Sequence, residues 1–503
     1  MRLGILLALV LGAGLVASAQ STNAPVRVQR LSLRECIDLA LTRNLDLQIE
    51  RVSVDIAQYG LQGAYGVYSP TFSLRAVNSY VDQPSDFDVD KPNPHFPYQW
   101  KADTLGAGLQ GRLPTGLSYD LRGYTREDNV RSDFSSAENG FIRNTNNYYS
   151  QARLTLTQPL LRDFWIDADR QAILLRRKDV KISQQAMRFQ VMKTVLAVEL
   201  SYTDLLAARE VVRVQEKALE LRQRLLAETK RRVEVGDLPP LDAEQAQAQL
   251  ENTITALTSA REALRLQENK LKALVTDDFI AWVDLPVEPT DPLLTFPPDV
   301  NRSESFRNAM QNRPDLLEAR LAVEKSDVVV RFRKNQLFPN LDVVGGYGGT
   351  GVADTVGRSL NNAWDFTDYS IGAVLTFPLY NLTDRSAYRA SKSFREMSQL
   401  QLRKAEQEVL LEIADFASRA QSRYAQVSST RQARVYAEAA LGAEEKKLAN
   451  GYSTPFTVLQ YQEILTNARM AEYQAMADYN KLLAQLAFAD ATILERNHLG
   501  FTN

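Results

Sequence analysis

At 503 residues, 24% of them charged but with a net charge of only −2, the chain is long enough for several ordinary domains and favours no strongly charged partner, so nucleic acid is not expected. Two histidines and one cysteine leave too little material for a His/Cys metal site or a cysteine–histidine nucleophile. Beyond the first residues no apolar stretch reaches the roughly 20 residues of a transmembrane helix, so any membrane crossing must use β-strands.

The first element is a leader. Arg2 is followed by an apolar run from Leu3 to Val16 and then Ala17-Ser18-Ala19, which fits a small-residue cleavage site. The run is too short for an anchor helix. Cleavage over 1–19 starts the mature chain near Gln20, where no cysteine stands to carry a lipid. Cys36 falls in an amphipathic helical pattern and has no second cysteine, which excludes an intramolecular disulfide framework.

Glu35 to Pro70 and Glu304 to Pro339 align without a gap, sharing Glu35/Glu304, Ala40/Ala309, Asp46/Asp315, Leu47/Leu316, Arg51/Arg320, Val54/Val323 and Pro70/Pro339. Two further pairs follow in the same order: Leu156-Thr157-x-Pro159-Leu160 with Leu375-Thr376-x-Pro378-Leu379, and Gly236-x-x-x-Pro240 with Gly451-x-x-x-Pro455. Such matches predict two copies of one plan. Residues 20–280 carry the first, with strands within 71–158 and long helices over 166–275. Residues 281–302 are a linker, 303–495 carry the second copy with strands 341–349 and 369–377 and long helices over 383–494, and 496–503 are a C-terminal tail.

Each copy opens with a helix pair, Leu33 to Tyr68 and Ser303 to Leu337. In the first, Ile37, Leu41, Leu45, Ile49, Val52 and Ile56 form one apolar stripe. Pro70 and Pro339 stop these helices, since proline lacks the amide proton and clashes with the preceding turn. Period-two alternation follows: Leu341, Val343, Gly345 and Tyr347 share a face, as do Tyr369, Ile371, Ala373, Leu375 and Phe377, and Tyr148, Ala152, Leu154 and Leu156. These segments match the about 9–11 residues of a tilted membrane strand, a pattern that a half-buried strand of a soluble sheet also fits. Leu105 to Leu113 and Gly116 to Tyr124 alternate too, around the turn Pro114-Thr115-Gly116; they fit barrel strands or an extracellular hairpin. The polar stretches Asp82 to Asp103, Arg126 to Asn147 and Thr350 to Asp365 read as exposed loops. Where they meet the strands lie Tyr98, Trp100, Tyr148, Tyr149, Trp364, Phe366 and Tyr369, placed as an aromatic girdle would be.

Long helical patterns then run over about Asp167 to Val235 and Thr383 to Asn450, each broken by a Gly/Pro turn before another helix, Leu241 to Leu274 and Phe456 to Leu494. At about 1.5 Å per residue the longer ones reach on the order of 100 Å. Ala207, Val211, Val214, Ala218, Leu221 and Leu225 step by four and three, the spacing of a coiled-coil seam. Gly236 and Gly451 fit helix C-caps, and Pro240 and Pro455 restart the chain as antiparallel helices.

No phosphate loop, dinucleotide fingerprint or nucleophile elbow occurs. The run Gly345-Gly346-Tyr347-Gly348-Gly349 lies in a strand pattern and reads as close strand packing. Carboxylates are dispersed among lysines and arginines along helices, the composition of a solvated face. No enzyme, cofactor or metal is expected.

The leader, the duplicated helix–strand–strand–helix plan, the Thr-x-Pro-Leu that closes the strands and the Gly-x-x-x-Pro turns together resemble the TolC family of outer-membrane efflux proteins. The stretches Arg232-Val233-Glu234-Val235-Gly236 with Leu241 to Leu250, and Asn450-Gly451 with Phe456-Thr457-Val458-Leu459-Gln460, look like the two hairpin tips of that family. The resemblance implies a mainly α fold with membrane β: long antiparallel coiled-coil hairpins forming an α-barrel in the periplasm, plus a β-barrel shared by a homotrimer in outer-membrane lipid. It implies a passive exit duct for efflux or secretion, coupled through a periplasmic adaptor protein to an inner-membrane pump. The family pattern favours four strands per chain, a barrel of about 12, over the about 18 that the extra pair would give. It places a periplasmic gate at Asp242, Glu244, Gln245, Thr457 and Gln460, and adaptor contact at Val235, Gly236, Asp237, Gly451 and Tyr452. Asp242 reads equally as the cap of a new helix. A reading from another class, a secreted coiled-coil structural or adhesive protein without a pore, accounts for the long helices and leaves the alternating strands unexplained.

Overall fold

The computed structural model describes residues 28–83, 98–133, 142–298 and 301–500. The leader over 1–19 and the expected start at Gln20 lie outside the described residues, as do the central parts of two of the expected loops, 84–97 and 134–141. The elements run β1 (Gln29–Leu31), α1 (Leu33–Arg43), α2 (Leu45–Tyr65), β2 (Thr71–Gln83), β3 (Tyr98–Arg112), β4 (Ser118–Asp133), β5 (Ile142–Pro159), α3 (Ala168–Glu234), α4 (Pro240–Val275), α5 (Phe279–Trp282) and β6 (Val287–Pro289). A second series follows: α6 (Arg302–Asn312), α7 (Pro314–Asn335), β7 (Asn340–Ala353), α8 (Val356–Asn361), β8 (Phe366–Thr376), α9 (Leu382–Ala449), α10 (Pro455–Ala489) and α11 (Ile493–Arg496). No described helix is long and apolar enough to cross a membrane.

Two compact units partition these elements, and α3, α9 and α10 each contribute to both. The first comprises 28–44, 197–297 and 423–481. In it β1 pairs in parallel with β6, and α1 starts on a reciprocal capping box: Ser32 Oγ accepts from Glu35 N while Glu35 Oε2 accepts from Ser32 N. Cys36, Ile37 and Ala40 bury one face of α1, and Asn44 Nδ2 donates to Leu274 O of α4 at 3.1 Å. Tyr202 of α3 is buried with its hydroxyl 2.8 Å from Asp291 Oδ2, and that same carboxylate oxygen accepts from Leu33 N at the head of α1. Burial pushes the Cys36 thiol up to about 12, with Glu35 and Asp291 adding to the shift.

The second unit holds 45–196, 298, 301–422 and 482–500. Its helical core joins Ala309 and Leu316 to Val409, Ile413, Leu486 and Ala489. Beside it the buried Arg313 pairs with Asp315 at 3.0 Å and Glu412 at 2.7 Å and donates to Ala489 O at 3.0 Å, so its buried charge is matched by carboxylates. The apolar stripe expected to run unbroken from Ile37 to Ile56 divides at Asn44. Ile37 on α1 is buried, whereas Leu45, Ile49, Val52 and Ile56 on α2 are more than half exposed. α1 finds its partners inside its own unit; the α2 stripe stays open to solvent among the described residues.

This unit also carries one six-stranded sheet in the order β2-β3-β4-β5-β7-β8, antiparallel throughout. The expectation of four strands per chain is therefore corrected to six: residues 105–124 supply two interior strands, turned at Gly116 (φ 86°), not a hairpin standing apart from the sheet. The strands are also longer than expected, at 13, 15, 16, 18, 14 and 11 residues in chain order. β4 and β5 extend into the polar stretch 126–147 that reads as loop. Its pairing continues there, with Asp128 opposite Asn147 and Arg126 opposite Tyr149. Main-chain ladder bonds hold these overhangs, and the side chains they carry are mostly polar, Asp128 being buried, so no hydrophobic alternation marks them. In 350–365, likewise, β7 continues to Ala353 and α8 follows.

Candidate functional site

Two regions carry the residues singled out from the sequence, and each is built by local rules. At the hairpin turns, Gly236 and Gly451 adopt φ of 80° and 77°, a conformation only glycine takes without strain. In the first turn Asp237 N donates to Arg232 O at 2.8 Å and Gly236 N to Val233 O at 3.0 Å; in the second, Tyr452 N donates to Lys447 O at 2.9 Å and Gly451 N to Leu448 O at 3.1 Å. Both are Schellman closures of the long helices. Pro240 and Pro455 open the return helices, where a missing amide proton costs nothing.

The residues assigned to adaptor contact, Val235, Gly236, Asp237, Gly451 and Tyr452, are all exposed, Tyr452 at 84%. Of those assigned to the gate, Glu244, Gln245 and Gln460 are exposed and Asp242 and Thr457 half-buried. Asp242 sits in the first turn of α4, whose N-cap is Pro239, so its carboxylate favours the positive end of the helix dipole without making a cap bond. Thr457 N donates to Thr454 Oγ1 at 3.3 Å. No side-chain hydrogen bond joins one gate residue to another among the described residues. The structure instead brings the helices behind them together: Leu225 and Leu226 of α3, Ala246 and Leu250 of α4, Leu441 and Leu448 of α9, and Val458 and Leu459 of α10 share one core. Sequence reading missed a clasp at the second turn. Ser453 Oγ donates to Glu444 Oε1 at 2.5 Å and Lys447 Nζ to Glu444 Oε2 at 2.9 Å, which holds the Glu444 carboxyl below its usual range. The Glu444/Lys447 spacing was its only signal.

In the sheet the ladder register sorts every residue to one of two faces. One face carries Phe72, Leu74, Leu105, Leu109, Leu121, Leu154, Leu156, Ile371 and Leu375, all exposed, with Leu74 at 73% and Ile371 at 81%. α8 lies against the end of this face, where Ser150 and Ser359 hydroxyls meet at 2.7 Å. Gly349 and Gly351 make that contact possible, since a Cβ on either would strike the backbone of 359–363. The glycine run of β7 is thus close packing, as its strand pattern implies. Tyr347 stacks on Trp364 at 5.9 Å beside it.

The opposite face is polar. Ser73, Arg75, Thr104, Gln110, Asp120, Arg122, Arg126, Asp128, Gln151, Arg153 and Asp368 belong to it. Arg122 pairs with Asp120 at 2.6 Å, Arg126 with Asp128 at 2.7 Å, and Arg153 with Asp368. Trp100 and Tyr149, placed in the aromatic girdle by sequence, lie on this polar face, where the Arg126 guanidinium sits 5.7 and 5.4 Å from their ring centres. Among the described residues no cluster of metal ligands occurs.

The chain thus combines an antiparallel sheet that has one exposed apolar face and one polar face with long helices joined at tight glycine turns. Residues 121–276 and 306–492, more than half of the chain, match the outer membrane efflux protein family, and the chain belongs to that family. It is 23% identical over 312 residues to the outer membrane efflux protein BepC of Brucella suis, an alignment that spans 61% of this chain and 65% of BepC. It is 25% identical over 374 residues to the outer membrane protein TolC of Escherichia coli, spanning 71% and 72% of the two chains. Its fold matches the crystal structure of VceC from Vibrio cholerae with a TM-score of 0.65 at 18% identity, over 91% of this chain and 95% of VceC. The protein resides in the outer membrane, with its helical part in the periplasm.

Proposed function

We propose that the protein is a passive exit duct, built from three copies of this chain, for solutes loaded by an inner-membrane pump through a periplasmic adaptor. The observation that carries this reading is the open six-stranded sheet with its exposed apolar face. Within the chain β2 and β8 each have one unpaired edge, and an open edge facing lipid would leave main-chain groups unsatisfied. Pairing the β8 edge of one copy with the β2 edge of the next satisfies both. Three copies then share a barrel of about 18 strands, a size that leaves an aqueous lumen. Its apolar face meets lipid and its polar face lines the lumen. The exposed stripe Leu45, Ile49, Val52 and Ile56 on α2 supports the same assembly, because a neighbouring copy can cover it.

The two repeats, 20–280 and 303–495, would each supply one long hairpin to a periplasmic tunnel. The hairpin turns at Val235, Gly236, Asp237, Gly451 and Tyr452 would meet the adaptor, and Asp242, Glu244, Gln245, Thr457 and Gln460 would narrow the tunnel end. Opening would proceed by rotation of the hairpins. The test is single-channel conductance in a planar bilayer, with the oligomer mass measured on the same detergent-extracted preparation. A trimer with discrete steps is expected; a water-soluble monomer without conductance would sink the duct.

A further inference from the structure

The polar face of the sheet holds a trough whose composition no duct requires. On β3 the residues at successive positions of this face are Thr104, Gly106, Gly108 and Gln110, so two adjacent places carry no side chain. Across the ladder Gly106 faces Arg75 on β2 and Tyr124 on β4, while Gly108 faces Ser73 and Arg122. A Cβ at Gly108 would come within 2.9 Å of Ser73 Oγ and one at Gly106 within 3.2 Å of the Tyr124 Cβ, so the floor is kept low by glycine. The result is a pocket of about 600 Å³ whose charged lining is Arg75, Arg122, Arg126, Arg153 and a single carboxylate, Asp120.

The arginines are placed against the usual rule for sheets. Arg122 and Arg153 are direct cross-strand partners, an arrangement that is destabilising for like charges. Asp120 and Asp368 offset it in part. Arg75 is exposed and has no carboxylate partner among the described residues. Hydroxyls of Ser73 and Thr104 and the amides of Gln110 and Gln151 add neutral groups around the same floor. Guanidinium groups present paired N–H donors that match carboxylate and phosphate oxygens.

We propose that this trough binds a small multivalent anion, a solute bearing two or more carboxylate or phosphate groups, held by Arg75, Arg122 and Arg153 above Gly106 and Gly108. Calling that anion a solute in transit rests on the duct reading; the binding itself does not. Arg75 supplies the unmatched positive charge, Arg122 and Arg153 share their donors between Asp120, Asp368 and the ligand, and the glycines give it depth. Because the groups are solvent-accessible, binding weakens as salt rises.

The experiment is isothermal titration of inorganic pyrophosphate and, in parallel, citrate into the detergent-extracted oligomer, for the natural chain, Arg75→Gln and Arg75→Lys. Both probes are expected to bind, with Arg75→Gln weakening them about tenfold, as loss of one charge-assisted contact would, and Arg75→Lys restoring part of the affinity. Binding of only one probe assigns the ligand to the phosphate or the carboxylate class and still supports the site. No binding of either, or equal affinity in Arg75→Gln, overturns it. Single-channel recording on the same preparations separates the two readings. Conductance without anion binding overturns the site and leaves the duct, whereas anion binding by a protein that does not conduct keeps the site and removes the duct.

Discussion

Helix α1 and the outer face of the sheet are written in the same aliphatic alphabet and use it oppositely. Ile37 of α1 is 2% exposed and Ile371 of β8 is 81% exposed. The first is stabilised by contacts the chain makes with itself; the second stands open among the described residues. Side-chain chemistry alone therefore does not separate a core residue from one on an open sheet face. Period does: spacing by three and four places an aliphatic residue on a helix stripe, and strict alternation places it on a sheet face whose other side is polar. α2 is the exception, helical in period yet exposed along Leu45, Ile49, Val52 and Ile56.

Substitutions sharpen the contrast. The largest effect is expected at Leu271, fully buried on α4: Leu271→Ala should cost about 3 kcal/mol through the cavity it leaves, read as a lowered denaturation midpoint of the extracted protein. At Leu74 on the outer face, Leu74→Arg should cost about 2–3 kcal/mol in the bilayer, read as a reduced yield of assembled oligomer in outer membranes, whereas Leu74→Phe should assemble normally. If Leu74→Arg assembles as well as the natural chain, that face does not meet lipid.

The smallest expected effect belongs to a half-buried acid on the helical side. Burial, with Asp315 and Glu50 nearby, raises the Glu318 carboxyl to about 7 from its ordinary 4.5. A raised carboxyl binds protons more readily folded than unfolded, so its contribution is unchanged below about 4.5 and stability falls as pH rises from there to about 7. Glu318→Gln should therefore match the natural chain at pH 4 and exceed it above pH 7. With the residue only half-buried, screening reduces the gain to about 1 kcal/mol. Melting curves at the two pH values check it; a gain of equal size at both would assign the effect to packing.

Much of the architecture is legible because it rests on local rules. Gly236 and Gly451 declare the turns through the backbone they demand, and Pro240 and Pro455 declare the helix starts. What hides is whatever depends on register. Arg122 and Arg153 are distant in sequence, and only the ladder makes them neighbours. The polar ends of β4 and β5 look like loops because main-chain pairing leaves no pattern in side chains. Trp100 and Tyr149 carry the composition of a membrane border, but register turns them to the polar face, onto Arg126. At the hairpin turns the backbone is repeated while the clasp of Ser453, Glu444 and Lys447 appears only once.

The parity of the sheet has a consequence for how such a pore can change size. β2 to β5 are four strands joined antiparallel, and β7 and β8 are two, so each block returns the chain to the side from which it entered. In the proposed membrane barrel, a single added strand would deliver α3 to the wrong side of the bilayer. A hairpin would not. The smallest permitted step is thus two strands per chain, which the threefold symmetry of the proposed duct would multiply to about six around the rim. The calibre of such a duct would then change by discrete increments, through duplication or loss of a hairpin such as β3–β4.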